Sequence, residues 1–137
     1  MSDSPTVPGP LQVALSYLGE RRQIDPRVDA VSDNFAYVWV SDLQKSDDAQ
    51  EPGGWIRLPT AFPFGNPHGL VTIEPLKRKD GALLTDAHNP GHDMCKPVRD
   101  LGGAHYYSWT WKDCPPIQGA KDILGVVQWY ERTIRNG

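Results

Sequence analysis

The stretch of sequence that decides the fold runs from Gly53 to Leu76 and reads GGWIRLPTAFPFGNPHGLVTIEPL. Its two apolar runs, WIRL and LVTIEPL, contain the aromatic and β-branched residues that favour strands. The residues between them, PTAFPFGNPHG, hold too much proline and glycine to continue either strand. The stretch therefore predicts two neighbouring strands of an antiparallel sheet.

Further strands are predicted on either side of this pair. Residues 34–40, NFAYVWV, form an aromatic and β-branched run that is too short for a typical helix. The polar stretch SDLQKSDDAQEPGG separates this run from WIRL and predicts a loop. Beyond a charged turn at residues 77–81, Leu83 and Leu84 predict a short fourth strand. The simplest arrangement is an antiparallel meander of about four strands.

Helices are predicted before and after the strands. Residues 11–22 place apolar side chains at helical spacing, and two arginines at the carboxyl end suit the helix dipole. Residues 119–135 carry a second stripe at helical spacing, formed by Ile123, Val126, Val127, Tyr130 and Ile134. We therefore expect a single α+β domain over residues 11–137, with helices packed on one sheet, behind a flexible tail of residues 1–10.

Length and charge exclude several classes of protein. The chain has 137 residues and a formal net charge of −3, which suits one domain with its own core. Nearly balanced charges argue against a nucleic-acid partner. The first ten residues lack a secretory signal, and no apolar run approaches the roughly 20 residues of a membrane helix. We expect a cytoplasmic protein with no membrane partner.

The segment at residues 88–103 carries the chemistry. It is too rich in glycine, proline and aspartate for regular structure, so it predicts a long irregular segment of functional importance. Cys95 follows His88 and His92 and precedes Lys96, groups that favour a thiolate if they converge on the sulfur. Charged neighbours also predict that the segment is partly exposed. Cys95 is therefore the predicted nucleophile.

Two other interpretations of the cysteine stay open. Cys95 could be an inert buried thiol, since free cysteine is among the most buried residue types. It could also bind zinc together with neighbouring histidines and Cys114, but the spacings match no common zinc pattern and no C-x-x-C is present. We therefore expect no metal and no cofactor. Two cysteines are also too few for a disulfide framework.

From Leu11 to its carboxyl end, the sequence resembles the ubiquitin-conjugating enzyme (UBC) superfamily. That family has an amino-terminal helix, a meander of four strands, a long active-site segment and carboxyl-terminal helices. Pro63, Phe64 and Pro67 resemble the proline-rich stretch between its second and third strands. The run at residues 88–90, HNP, resembles its His-Pro-Asn element with the last two residues reversed, and Cys95 follows as the thioester cysteine does.

The resemblance, together with the position of these residues in the sequence, suggests roles for five residues of this segment. Cys95 would form a thioester with the carboxyl-terminal glycine of a partner protein and pass it to an acceptor. His88 would orient the loop through a backbone hydrogen bond, and Asn89 could donate its amide to the oxyanion. His92 and Asp93 are secondary candidates that could tune Cys95 or take up a proton. Together these five residues are the predicted catalytic site.

The departures from the eukaryotic pattern resemble prokaryotic members encoded in antiphage defence operons, either CBASS or bacterial ubiquitination-like systems. In those systems the carried partner is a cGAS-like nucleotidyltransferase or a ubiquitin-like protein. If the carried protein is activated, activation must come from elsewhere, for example from a separate activating enzyme, because no ATP-binding glycine loop is present. Trp109 and Trp111 are expected to brace the core, and Cys114 is expected to pack structurally. The alternative functions are a non-catalytic interaction module with the same fold and a small zinc-binding domain.

Overall fold

The computed structural model describes residues 7–45, 50–78, 80–85, 87–110 and 116–136. In chain order the elements are helix α1 (Gly9–Arg22), strands β1 (Arg27–Ser32), β2 (Phe35–Val40), β3 (Gly54–Pro59), β4 (His68–Thr72) and β5 (His88–Pro90), a 3-10 segment (Asp93–Leu101), strand β6 (His105–Thr110), a 3-10 turn (Ala120–Asp122) and helix α2 (Ile123–Asn136). The predicted α+β class is confirmed. Both predicted helices are present, and α1 begins two residues before its predicted start.

The strands form one antiparallel sheet in the order β1-β2-β3-β4-β6-β5. The predictions of β2, β3 and β4 are confirmed, but the predicted strand at Leu83 is wrong. Leu83 forms only an isolated bridge with Lys77. A single bridge between two residues does not make a strand, because a strand needs consecutive bridges along a ladder.

Sequence reasoning missed β1, β5 and β6. β1 has a mixed pattern of charged and small residues and contains a bulge between Val28 and Ala30, so it lacks a clean alternation. β5 contains asparagine and proline, which disfavour strands, and is held by pairing with β6. The expectation that residues 88–103 are irregular is therefore wrong at both β5 and the 3-10 segment.

One face of the sheet packs against α1 and α2, and we call this layer the helix-side core. The apolar stripes predicted for both helices are buried there. Tyr107 and Trp109 of β6 contribute from the sheet, together with alternate residues of β2 and β3. Because side chains alternate across a strand, the intervening residues point to the opposite face.

The opposite face of the sheet is covered by the 3-10 segment Asp93–Leu101, which we call the Cys95 segment. Its buried side chains form a second cluster with the sheet, the segment-side core, which consists of Tyr37, Trp55, Val71, Cys95, Val98 and Tyr106. The Nε1 group of Trp55 donates a 2.8 Å hydrogen bond to Asp29 at the edge of this layer. The sheet is therefore buried on both faces.

Gly69 of β4 contacts both layers. Its φ of +88° is a conformation that favours glycine, and a Cβ atom there would lie 2.5 Å from the ring of Tyr106 in the segment-side core. Its carbonyl oxygen accepts a 2.8 Å hydrogen bond from the hydroxyl of Tyr130 in the helix-side core. Only glycine therefore allows the Tyr106 ring to lie this close to the strand.

An ion-pair network joins α1, the turn after β2, and α2. Arg22 donates from Nε to Asp42 at 2.9 Å and from Nη2 to Glu131 at 2.7 Å. Glu131 also accepts a 2.8 Å hydrogen bond from the amide of Gln44. Burial acts to lower the pKa of Arg22, but its hydrogen bonds to Glu131 and Asp42 raise it overall.

Among the described helices, none has the length and apolar character that crossing a membrane requires.

Candidate functional site

Gly91 and His92 connect β5 to the Cys95 segment. Its first turn is capped by His92, whose Nδ1 accepts a 3.1 Å hydrogen bond from the amide of Met94. The amide of Cys95 donates to the His92 carbonyl at 2.9 Å. The segment bends at Val98 and ends at Gly102, which has a φ of +102°. Residues three apart lie on the same side of a 3-10 helix, so Cys95 and Val98 face the sheet together.

Cys95 is completely buried in the segment-side core. Burial raises the pKa of its thiol, and the nearby Arg99 cation and a backbone hydrogen bond at His92 offset only part of that rise. Asp93 and Lys96 beside it are exposed, as the sequence predicts. The segment is therefore partly exposed as predicted, but its three-residue period turns Cys95 inward, which the expectation of an irregular segment did not anticipate.

His88 does not lie beside Cys95. Its ring stacks on Tyr107 at a centroid distance of 4.9 Å, and its Nε2 lies 2.9 Å from Nδ1 of His105. Tyr107 belongs to the helix-side core and Cys95 to the segment-side core. His88, which stacks on Tyr107, therefore lies on the opposite face of the sheet from Cys95. Burial and then the charge of His88 lower the pKa of His105.

The other predicted site residues also have partners away from the sulfur. The Asn89 amide donates a 2.8 Å hydrogen bond to the carbonyl of Ala87. The His92 ring is exposed and stacks on Tyr106 at 5.0 Å. Asp93 forms an exposed 3.3 Å ion pair with Lys96. The partners of His88, Asn89 and Asp93 therefore lie away from the thiol, and His92 contacts Cys95 through its backbone carbonyl.

Sequence reasoning missed Arg57, a cation that is only 2% exposed on the same face of the sheet as Cys95. Its Nη1 donates to the carbonyl of His68 at 2.8 Å and to the hydroxyl of Tyr106 at 3.3 Å. Its guanidinium lies 4.3 Å from the centroid of the Phe35 ring. Among the described residues it has no carboxylate partner, and its Nε has no hydrogen-bond partner. Because side chains alternate along the strand WIRL, Arg57 could have been predicted to point to the face of the sheet opposite the helices.

This arrangement limits the available chemistry. Nucleophilic attack needs an accessible thiolate, whereas Cys95 is enclosed and its pKa is raised. Within the described ranges, no group of three or more His, Cys, Asp or Glu side chains could hold a metal ion. Burial also raises the pKa of both Tyr37 and Tyr106, and Arg57 opposes that rise. Both tyrosines are therefore neutral hydrogen-bonding groups near neutral pH.

Two predicted residues lie outside the part of the chain that the structure describes, namely Trp111 and Cys114. Trp109 is buried in the helix-side core, with its ring 5.1 Å from that of Tyr107, which confirms its predicted bracing role.

Searches against protein-family models, curated proteins and solved structures found no match to this chain.

Proposed function

We propose that this chain is a non-catalytic protein-binding module with a UBC-like fold. The observation that carries the proposal is the complete burial of Cys95 in the segment-side core. A thioester carrier must present its sulfur to a carboxyl group on one protein and then to an acceptor on another. A thiol enclosed between the sheet and its own segment, with a raised pKa, is poorly suited to both steps.

The energy needed to expose Cys95 makes this argument quantitative. Lifting the segment would expose the side chains of Cys95 and Val98, both now fully buried. Burial of side chains of this size contributes about 3 kcal/mol in total. An open state that is less stable by this amount holds roughly one molecule in 160. Transfer through Cys95 would be slowed by about the same factor.

The order of elements supports the UBC-like part of the proposal. An amino-terminal helix, consecutive antiparallel strands β1 to β4, a segment carrying the cysteine and a carboxyl-terminal helix follow one another as the resemblance implies. Strands β5 and β6 are additions to that pattern. The antiphage setting and the identity of the partner rest on the resemblance alone.

An exposed aromatic side chain supports the binding part of the proposal. Phe64 lies in the connection between β3 and β4, and 75% of its surface is exposed. Burial of a phenylalanine contributes about 1.5–3 kcal/mol, and such side chains are common at the centre of protein interfaces. Elsewhere on the surface, Leu83 is also exposed and provides a matched control for nonspecific apolar contact.

Co-expression with the proteins encoded beside this chain tests the proposal. Wild type, Cys95→Ser, Phe64→Ala and Leu83→Ala would be purified without reducing agent and analysed by intact-mass spectrometry and size-exclusion chromatography. We expect a noncovalent complex with wild type, Cys95→Ser and Leu83→Ala, and a weaker one with Phe64→Ala. A thiol-sensitive added mass that disappears in Cys95→Ser would refute the non-catalytic proposal.

The second candidate function is the thioester transferase implied by the resemblance, with a cGAS-like nucleotidyltransferase or ubiquitin-like protein as cargo. The Arg99 cation favours it, because it lowers the pKa of Cys95 against the effect of burial. This function needs the Cys95 segment to open when a partner binds. Alkylation of Cys95 measured with and without the co-purified partner tests that requirement, and partner-dependent acceleration of at least about tenfold would support the transferase.

A further inference from the structure

Two imidazoles join the short strand β5 to β6 at the edge of the sheet. Nε2 of His88 and Nδ1 of His105 are 2.9 Å apart, so one nitrogen donates a hydrogen bond and the other accepts it. The bond crosses the strands diagonally, because His88 lies opposite Tyr107 while His105 lies opposite Pro90. β5 contains only three residues, so this side-chain bond adds to a short backbone ladder.

β5 leads directly into the Cys95 segment. Gly91 follows the strand and donates its amide to the carbonyl of Ala104 at 2.8 Å, and His92 then caps the segment. The far end is attached separately, since the amide of Ala104 donates to the carbonyl of Thr72 on β4 at 3.0 Å. Release of β5 would therefore loosen the start of the Cys95 segment while its end stayed on the sheet.

We propose that the His88–His105 pair is a pH-sensitive latch that keeps the Cys95 segment closed over its sulfur and releases it under mildly acidic conditions. The pair keeps its hydrogen bond when both rings are neutral, and also when one ring carries an additional proton. A second added proton leaves both facing nitrogens as donors and places two cations side by side, so the bond is lost. This inference holds whether Cys95 carries a thioester or is inert.

The surroundings of the pair do not offset that repulsion. Tyr107 stacks on His88, and because burial raises its pKa it remains neutral. Thr72 is the residue of β4 that faces His105 across the sheet. Among the described residues, no carboxylate or arginine is hydrogen-bonded or ion-paired to either ring. Asp86 lies outside the described residues, so its contribution is tested with Asp86→Asn.

The direction of the pH effect follows from His105. Its pKa is lowered in the folded protein from the ordinary value of 6.5, so the open or unfolded chain binds the proton first as the pH falls. The latch contributes its full stabilising effect above that ordinary value and loses it progressively as the pH falls toward the lowered pKa. One proton changes the opening equilibrium by at most about tenfold per pH unit.

The test measures how strongly folding protects Cys95 from a disulfide reagent that reacts across the acid range, such as 4,4′-dithiodipyridine. In a Cys114→Ser background, the labelling rate of the native protein is divided by that of the denatured chain at the same pH, which cancels the ionisation of the thiol. Between about pH 7.5 and pH 5.0 we expect protection to fall by about tenfold. The fall should vanish in His105→Gln, which cannot become charged, and persist in Asp86→Asn.

Constant protection across this range in the wild type would overturn the proposal, as would an equal fall in His105→Gln. If that variant does not fold, NMR titration of the wild-type imidazoles decides the question. Two separated protonation steps, the lower one coinciding with the loss of protection, are expected, and two independent single titrations would overturn the latch. The adduct assay for the proposed function uses no pH comparison, so either idea can fail without the other.

Discussion

Val98→Ala tests whether the Cys95 segment opens as a local unit. Val98 is fully buried beside Cys95, and a Cβ atom at Gly103 would lie only 2.6 Å from its Cγ2. The substitution removes two methyl groups, which is worth about 1.6 kcal/mol of transfer free energy, and the cavity left behind brings the total to about 2 kcal/mol. If opening exposes this side chain, the open population rises by roughly 30-fold.

The assay is alkylation of Cys95 by iodoacetamide, followed by intact mass in a Cys114→Ser background at constant pH. The matched control is Val126→Ala, which removes the same two methyl groups from the helix-side core. We expect Val98→Ala to accelerate labelling about 30-fold and Val126→Ala to leave it nearly unchanged, while both lose similar free energy of unfolding. Equal acceleration in both variants would show that Cys95 is exposed only by global unfolding. No acceleration in Val98→Ala would refute the packing argument itself.

Three further predictions concern groups buried around the sheet. Glu131→Gln should lower the free energy of unfolding by about 2–3 kcal/mol in urea denaturation, because Asp42 is then the one ionic partner that the described residues offer the largely buried Arg22. A loss below about 0.5 kcal/mol would contradict a structural role. Arg57→Met should change the free energy of unfolding by less than about 1 kcal/mol, because it removes a buried cation that has no carboxylate partner among the described residues. Arg57→Ala, which also leaves a cavity, should lower the free energy of unfolding by about 3 kcal/mol. Gly69→Ala should cost at least about 3 kcal/mol by thermal or urea unfolding, from backbone strain and the clash with Tyr106, and near-neutral behaviour would disprove that close approach.

The parts of the fold that could be predicted from sequence are those whose local pattern matches their environment. The stripe on α2 is identified by its helical periodicity, and β2 is identified by a continuous aromatic and β-branched run, which suits a strand that buries side chains on both faces. β5 exists because β6 pairs with it, and its residues His88 to Pro90 have no strand preference of their own. Its existence depends on a tertiary contact that a sequence pattern does not contain.

The candidate site was only partly predictable for a related reason. Sequence proximity correctly identified His92 as a close neighbour of Cys95, and the structure makes it the cap of the segment. His88 is almost as near in sequence, yet the sheet separates it from the sulfur and pairs it with His105, seventeen residues away. Spacing along the chain cannot determine which face of a sheet a side chain occupies when the strand itself is unrecognised.

The double contact made by Gly69 sets a boundary between two units that can unfold separately. Tyr106 is held against this glycine on one face, while Tyr130 is tied to the carbonyl of the same residue on the other. Loss of the Cys95 segment from the sheet would therefore stop at Tyr106 and leave β4, β6 and α2 assembled. In hydrogen exchange, the amides of the segment should exchange as one fast group, and those beyond this boundary should exchange only when the whole domain unfolds.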